Sequence, residues 1–349
     1  MDIRNRIQTF IELGHILACF PGTTDEGTLH PLIEPALKAE ARNPWFTQDN
    51  IRYALNQIGD SMAVDKMDHW LDPYMDLLDS PGTGGKRIGV VTAGNIPIAG
   101  FHDFLTVLIS GHRFCGKLSG QDTVLLPAIT GIMEKLNPEW KERIQFTDEP
   151  FRHIDAIIAT GSGNTYRYFE YYFSRFPHII RKNRNGIAIL NGMESNDENK
   201  GLASDVMLYF GLGCRSVSKI FVPQDYDVLK LRPFFEPWDS LIRHNKYYNN
   251  YEYQKSILIV NKRPFYDFGN ILLTEECRFA SPVSVLNFER YNDPGTLSAE
   301  LLKESEQIQC VISAARQGIS CIFPGTAQKP DLWDYADGID TLLFLLGEI

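Results

Sequence analysis

The sequence predicts an α/β fold: a doubly wound, mostly parallel sheet and a second α/β segment, preceded by a helical N-terminal segment. Three observations carry that prediction. Up to about Leu78 the apolar residues fall at helical spacing; the turn cluster Ser80-Pro81-Gly82-Thr83-Gly84-Gly85 then breaks the pattern; beyond it short apolar runs alternate with helical ones. Such alternation signals a parallel sheet, because neighbouring parallel strands need a crossover and a helix usually supplies it.

In the first segment Ile3, Ile7, Phe10, Ile11 and Leu17 recur at helical spacing, and Ile51, Leu55 and Ile58 follow the start signals Thr47 and Asp49. After the break the expected order is strand 87–92, helix 98–110, strand 114–118, helix 124–136, strand 144–146 and strand 154–159. The second α/β segment runs from about Gly186 to Pro324, with strands expected at 187–190, 218–222, 257–260 and 283–288. The tail has an acidic, aromatic start at Asp331 and the apolar run Leu342-Leu343-Phe344-Leu345-Leu346, expected as an edge strand or an intersubunit element.

A chain of 349 residues exceeds one average domain, so two intimately packed α/β domains or one large one are expected. With 44% hydrophobic and 22% charged residues, the chain has globular composition, which excludes disordered and fibrous classes. A net charge of -10 argues against nucleic acid as partner, since phosphate contact needs clustered Lys and Arg. The start Met1-Asp2-Ile3-Arg4-Asn5 lacks a basic-then-apolar leader, and no run reaches the length of a membrane span, so a cytoplasmic protein is expected. Cysteines 19, 115, 214, 277, 310 and 321 form no C-x-x-C pair and no zinc-spaced cluster, so neither a metal nor a disulfide framework is expected. Five of the six read as small buried hydrophobes, leaving one for chemistry. His102, His112 and His153 read as packing or surface residues.

Ligands of doubly wound sheets bind beyond the carboxyl ends of the strands, so the loops after strands matter most. After the first strand comes Thr92-Ala93-Gly94-Asn95-Ile96-Pro97, where Asn95 either tolerates a left-handed turn or aims an amide N–H outward as an oxyanion donor. The next strand runs into Lys117, Ser119, Gly120 and Gln121, which suit a nucleotide ribose or phosphate, or a plain solvated edge. Thr160-Gly161-Ser162-Gly163 precedes the aromatic helical run 166–173; this is a phosphate-accepting helix start or an ordinary strand-to-helix turn. It matches neither G-x-G-x-x-G nor a P-loop. Finally, a helix through Leu202, Val206 and Phe210 breaks at Gly211-Leu212-Gly213-Cys214-Arg215-Ser216, whose glycines leave space around the sulfur. Cys214 is there either an inert thiol or a nucleophile, with local N–H groups and Arg215 favouring its thiolate.

These four segments, in this order, resemble the aldehyde dehydrogenase superfamily. Gly211 to Ser216 is similar to its Gly-Gln-x-Cys nucleophile turn; Asn95 matches its oxyanion Asn, Lys117 its ribose-binding Lys, and Ser162 the Ser of its Gly-Ser-Thr pyrophosphate motif. Thr274-Glu275-Glu276-Cys277-Arg278-Phe279-Ala280-Ser281-Pro282-Val283 resembles the Glu-Glu-x-Phe-Gly-Pro-Val segment, which makes Glu276, or Glu275 beside it, the ligand of the nicotinamide ribose. More narrowly, Gly94-Asn95-Ile96-Pro97, 210–217 and Pro324-Gly325-Thr326-Ala327-Gln328 resemble the LuxC-like fatty-acyl-CoA reductase family. The resemblance spans roughly 87–346 and implies an aldehyde dehydrogenase-like fold: residues 1–185 as helical segment plus Rossmann-type cofactor domain, 186–325 as catalytic domain, and 326–349 packing back on the cofactor domain or a partner subunit.

Two departures refine the expected activity. Where the family carries a Glu that activates water, this chain reads Arg181-Lys182-Asn183-Arg184-Asn185-Gly186; without that base a thioacyl-enzyme survives for hydride rather than hydrolysis. Where the family's NAD-selecting Glu stands, the chain has Gly120-Gln121, which removes repulsion toward a 2′-phosphate and favours NADPH over NADH. The expected enzyme is a reductase of acyl-CoA to aldehyde, with Cys214 and Asn95 catalytic, and Lys117, Ser119, Gly161, Ser162 and Glu276 holding the cofactor. Its implied partner is an acyl-transferring or acyl-activating protein. The family's habit implies homo-oligomers, although the short segment before Arg87 leaves little room for the usual hairpin. An aldehyde-oxidising dehydrogenase, a cysteine acyltransferase, and a noncatalytic acyl-carrying subunit of a reductase complex remain the alternatives.

Overall fold

The computed structural model describes residues 1–22, 29–80, 84–161, 163–315, 318–347 and 349. The chain forms two compact units, Met1–Asn183 with Pro330–Ile349, and Arg184–Lys329.

The first unit opens with helices α1 (Ile3–Ala18), α2 (Ile33–Arg42), α3 (Gln48–Ser61), α4 (Val64–Leu71) and the short α5 (Met75–Leu78). Asp2 caps α1 by accepting the Asn5 N–H at 2.8 Å, and Thr47 caps α3 through the Asn50 N–H at 3.3 Å. Of the stripe read from the sequence, Ile3, Phe10 and Leu17 are at most 5% exposed and Ile7 and Ile11 are half-buried, while Leu13 joins the buried face. There follow β1 (Arg87–Val91), α6 (Phe101–Ile109), β2 (Arg113–Lys117), α7 (Leu125–Leu136), β3 (Ile144–Phe146), β4 (Ala156–Thr160), α8 (Gly163–Phe173) and β5 (His178–Arg181). The sheet has the order β3-β2-β1-β4-β5, and every pairing is parallel. The chain therefore winds outward from β1 in one direction and then, from β4, in the other. This creates a topological switch point between β1 and β4, where Val91 stands level with both Lys117 and Ala159.

The second unit contains β6 (Asn185–Ile189), α9 (Asn196–Met207), β7 (Val217–Pro223), α10 (Arg232–Phe235), α11 (Asn245–Val260), β8 (Tyr266–Asp267), β9 (Leu272–Glu275), β10 (Val285–Tyr291), α12 (Pro294–Lys303) and β11 (Ile308–Ile312). Its sheet order is β11-β6-β7-β10-β9-β8, parallel except for the antiparallel β8/β9 pair. The fold is α/β in both units, as the strand and helix alternation predicts.

One expected strand, 257–260, is helical, and so is the run 342–346, expected as an edge strand or an intersubunit element. Residues 257–260 end the 16-residue α11, which His244 caps by accepting the Tyr247 N–H at 3.3 Å. Only Leu258 is buried there, while Ile259 and Val260 are exposed, so β-branched content gave way to continuation of the i→i−4 ladder. The run 342–346 lies in α13 (Thr341–Gly347), started by Asp340, whose Oδ1 accepts the Leu343 N–H at 2.8 Å. Leu342 and Leu345 face the core and Leu343 does not, a helical period that an uninterrupted apolar run conceals. Strands β5, β8, β9 and β11 lie outside the expected set; each has only two to five residues. The cysteines also depart from expectation: Cys115 is buried, Cys310 and Cys321 are half-buried, and Cys19, Cys214 and Cys277 are all exposed.

Side chains fasten the tail within the first unit. Arg181, buried at the end of β5, donates to both oxygens of Asp103 on α6 at 2.8 and 2.7 Å and to Thr341 Oγ1 at 2.9 Å. Trp70 donates to the Tyr335 hydroxyl at 2.8 Å, and Tyr74 to Asp340 at 2.5 Å. Among the described residues no helix is long and apolar enough to cross a membrane.

Candidate active site

Asn95, Lys117, Ser119 and Gly161 all belong to the first unit, at the carboxyl ends of the adjacent strands β1, β2 and β4. The loops after β1 and β2 are locked together. Thr92 donates its N–H to Lys117 O at 3.1 Å, and Ser119 donates its own to Thr92 Oγ1 at 3.2 Å. A Cβ on Gly94 would stand 2.4 Å from Ser119 Oγ, so only glycine permits this approach. Asp122 closes the lock: its Oδ2 accepts the Ile98 N–H at 2.7 Å, with Ile98 in the left-handed region at φ 51°. Burial raises the Asp122 carboxyl above its ordinary range. Asn95, half-buried, thus sits on a turn held at both ends, and Lys117 is half-buried where β2 finishes.

Gly161 follows β4, with its N–H on Arg181 O at 3.2 Å. A Cβ here would lie 2.9 Å from Phe169 and 3.0 Å from Thr165, so glycine lets the turn close on the first turns of α8. Ser162 lies outside the described residues. These loops flank the switch point, where ligands of doubly wound sheets bind, and Lys117 and Ser119 at this edge are of the residue types that would hold a ribose or a phosphate.

Cys214 and Glu276 belong to the second unit. Past α9 the backbone enters three left-handed residues, Tyr209 (φ 54°), Phe210 (φ 58°) and Gly211 (φ 73°). Two non-glycine residues in that region cost about 1–3 kcal/mol each, so neighbouring packing must hold them. The Phe210 ring supplies part of it, 4.6 Å from His244 and 5.7 Å from Tyr247 between centroids. A tight turn follows, Ser216 N–H to Gly213 O at 3.0 Å, with Cys214 exposed at its tip just before β7.

Segment 324–328 braces this turn. Gln328 donates to Ser216 Oγ at 3.1 Å, and Arg215 Nε donates to Ala327 O at 2.7 Å. Asp205 of α9, 2% exposed, holds the segment from behind, accepting the N–H groups of Gly325 at 2.7 Å and Ala327 at 3.1 Å. Burial pushes its carboxyl up to about 6. Arg215 thus serves the turn's shape. Asp122, Asp205 and Gln328 were missed from the sequence, although Asp205 left one signal, an acid beside the apolar stripe of Leu202 and Val206.

Glu276 follows β9, half-buried, paired with Arg263 at 2.9 Å and Arg278 at 3.5 Å. The hydrogen bond from Arg263 holds its carboxyl below the ordinary range, so it stays ionised. Glu275 is exposed and faces Arg290 at 3.6 Å.

No protein-family model and no curated protein matches the chain. Solved structures do. Aldehyde dehydrogenase 21 of Physcomitrella patens, in complex with the reaction product succinate, superposes with a TM-score of 0.61 at 11% identity, over 90% of this chain and 74% of that one. Betaine aldehyde dehydrogenase of Staphylococcus aureus, in complex with NAD+, gives 0.61 at 11%, over 89% and 70%. The aldehyde dehydrogenase KauB of Pseudomonas aeruginosa gives 0.60 at 12%, over 89% and 72%. The fold is aldehyde dehydrogenase-like.

Proposed function

We propose that the chain reduces acyl-CoA thioesters, fatty acyl ones in particular, to aldehydes through a thioester on Cys214, using NADPH in preference to NADH. One observation carries the proposal: the exposed Cys214 thiol stands on a braced, glycine-flanked turn within an aldehyde dehydrogenase-like fold. The broader reading, nicotinamide-linked oxidoreduction at the aldehyde level, draws further support from the named activities of the neighbouring structures.

The Cys214 thiolate attacks the thioester carbonyl; the backbone N–H of Cys214 and the Asn95 amide carry the oxyanion; CoA leaves as its thiolate, with the acyl group on sulfur. Lys117, Ser119, Gly161, Ser162 and Glu276 would hold a nicotinamide dinucleotide, which would supply the hydride. Collapse of the thiohemiacetal then releases aldehyde and restores the Cys214 thiolate. No carboxylate occurs from His178 to Gly186, which disfavours hydrolysis of the thioacyl-enzyme. Gly120 and Gln121, both exposed, leave room for a 2′-phosphate without an acid to repel it.

Aldehyde oxidation is the second reading, favoured by the neighbours' names. Intact-protein mass spectrometry after incubation with a panel of acyl-CoAs, followed by NADPH or NADH, separates the two. Acyl adducts on wild type, none on Cys214→Ser, and their discharge as aldehyde on adding NADPH are expected. Normal aldehyde production by Cys214→Ser refutes the proposal. Adducts that never discharge point to an acyl-carrying subunit or an acyltransferase.

A further inference from the structure

Past β9 the chain makes a non-repetitive loop whose backbone is held by an unusual set of donors. Four consecutive carbonyls, those of Cys277, Arg278, Phe279 and Ala280, each accept from a side chain of the two strands alongside. Lys219 Nζ reaches Cys277 O at 2.6 Å, and Ser218 Oγ reaches Phe279 O at 2.8 Å. Asn287 Nδ2 divides its two hydrogens between Arg278 O at 3.0 Å and Ala280 O at 3.1 Å. Asn287 is itself oriented by Thr274 of β9, which donates to its Oδ1 at 3.0 Å.

The sheet is built to allow this. Lys219 and Asn287 are register partners on β7 and β10. A register shift between β6 and β7 falls at Ser218, so adjacent residues that would face opposite sides of a regular strand both serve one loop. Lys219 is 1% exposed and Asn287 3%. The ammonium also pairs with Glu289 at 2.5 Å and lies 4.6 and 5.1 Å from the ring centres of Phe221 and Phe279. A buried cation shared between the Glu289 carboxylate and a loop carbonyl ties that loop to β7 and β10, since releasing the loop leaves a buried N–H of the ammonium without its acceptor. Immediately before this loop stands Glu276, whose own N–H is on Phe288 O at 3.0 Å and whose carboxylate pairs with Arg263 at 2.9 Å.

We propose that Lys219, with Ser218 and Asn287, is a positioning residue: it holds the 276–280 loop so that the Glu276 carboxylate is preset for the hydroxyls of the nicotinamide ribose. This rests on the reductase reading above.

The test uses the full-length protein as wild type, Lys219→Met and the milder Ser218→Ala. Three measurements are made: hydrogen exchange of segment 274–282 without dinucleotide, NADPH and NADH affinity by fluorescence titration, and the rate of Cys214 acylation by acyl-CoA. Losing a charge-assisted hydrogen bond predicts about 10- to 100-fold weaker dinucleotide binding for Lys219→Met, and a smaller loss for Ser218→Ala. Loop exchange rises in the same order and acylation stays within about twofold, because Cys214 and its brace on 324–328 are untouched. Glu276→Gln combined with Lys219→Met weakens binding no further than the stronger single variant. Wild-type affinity or unchanged loop exchange in Lys219→Met overturns the proposal and leaves the reductase reading standing. A parallel loss of acylation also overturns it, by making the role structural. A wild-type chain that binds neither dinucleotide refutes both readings together.

Discussion

Replacing Asp205 with Asn tests whether burial controls the carboxyl behind the Cys214 turn. The side chain is 2% exposed and its carboxyl is pushed from 3.8 up to about 6, first by desolvation and against the opposing hydrogen bonds of Gly325 and Ala327. Between those two values the folded protein holds a proton that the unfolded chain has already lost. Asp205 therefore contributes stability that is fully present below about 3.8 and is lost as pH rises through about 6. At roughly 1.4 kcal/mol per pK unit, the ionised group costs the folded state about 3 kcal/mol near neutrality. The substituted amide does not titrate, although it loses one acceptor and with it about 1 kcal/mol at every pH. In urea unfolding at a series of pH values, the stability of Asp205→Asn relative to wild type should improve by about 2 kcal/mol between roughly pH 4.5 and 7. A difference that stays constant with pH would show that Asp205 ionises like a solvated carboxyl, and the burial argument would fall.

Other outcomes follow from the same geometry. Asn95→Ala should slow turnover about 100- to 1000-fold, the usual effect of losing one oxyanion donor, while Cys214 still reacts with a small alkylating agent at the wild-type rate; an unchanged kcat excludes the role. Arg181→Met strands the buried Asp103 carboxylate and frees Thr341, so urea unfolding should show a loss of about 3–5 kcal/mol. Removing both charges with Asp103→Leu should recover much of that, and a stable single variant contradicts the clamp.

How much of this was legible in the sequence varies by residue. The α/β alternation and the helical start were readable because period and caps act over a few positions. Asn95, Lys117, Gly161 and Cys214 could be singled out for the same reason: each sits where a strand or helix gives way to a glycine-marked turn. The helical character of 257–260 and 342–346 was not readable, because a continuous apolar run has no period until neighbours choose which side to bury.

The sequence by itself determined the α/β alternation and where reactive side chains meet glycine turns, since local sterics and hydrogen bonding settle those. Only the tertiary structure decided what steadies them. Lys219 meets its loop carbonyl 58 residues along the chain, and Asp205 meets Gly325 and Ala327 at separations of 120 and 122. A buried polar group declares its purpose only through its partner. Strand order, register and one bulge set that partner, because backbone pairing between distant segments leaves no local mark on composition or period.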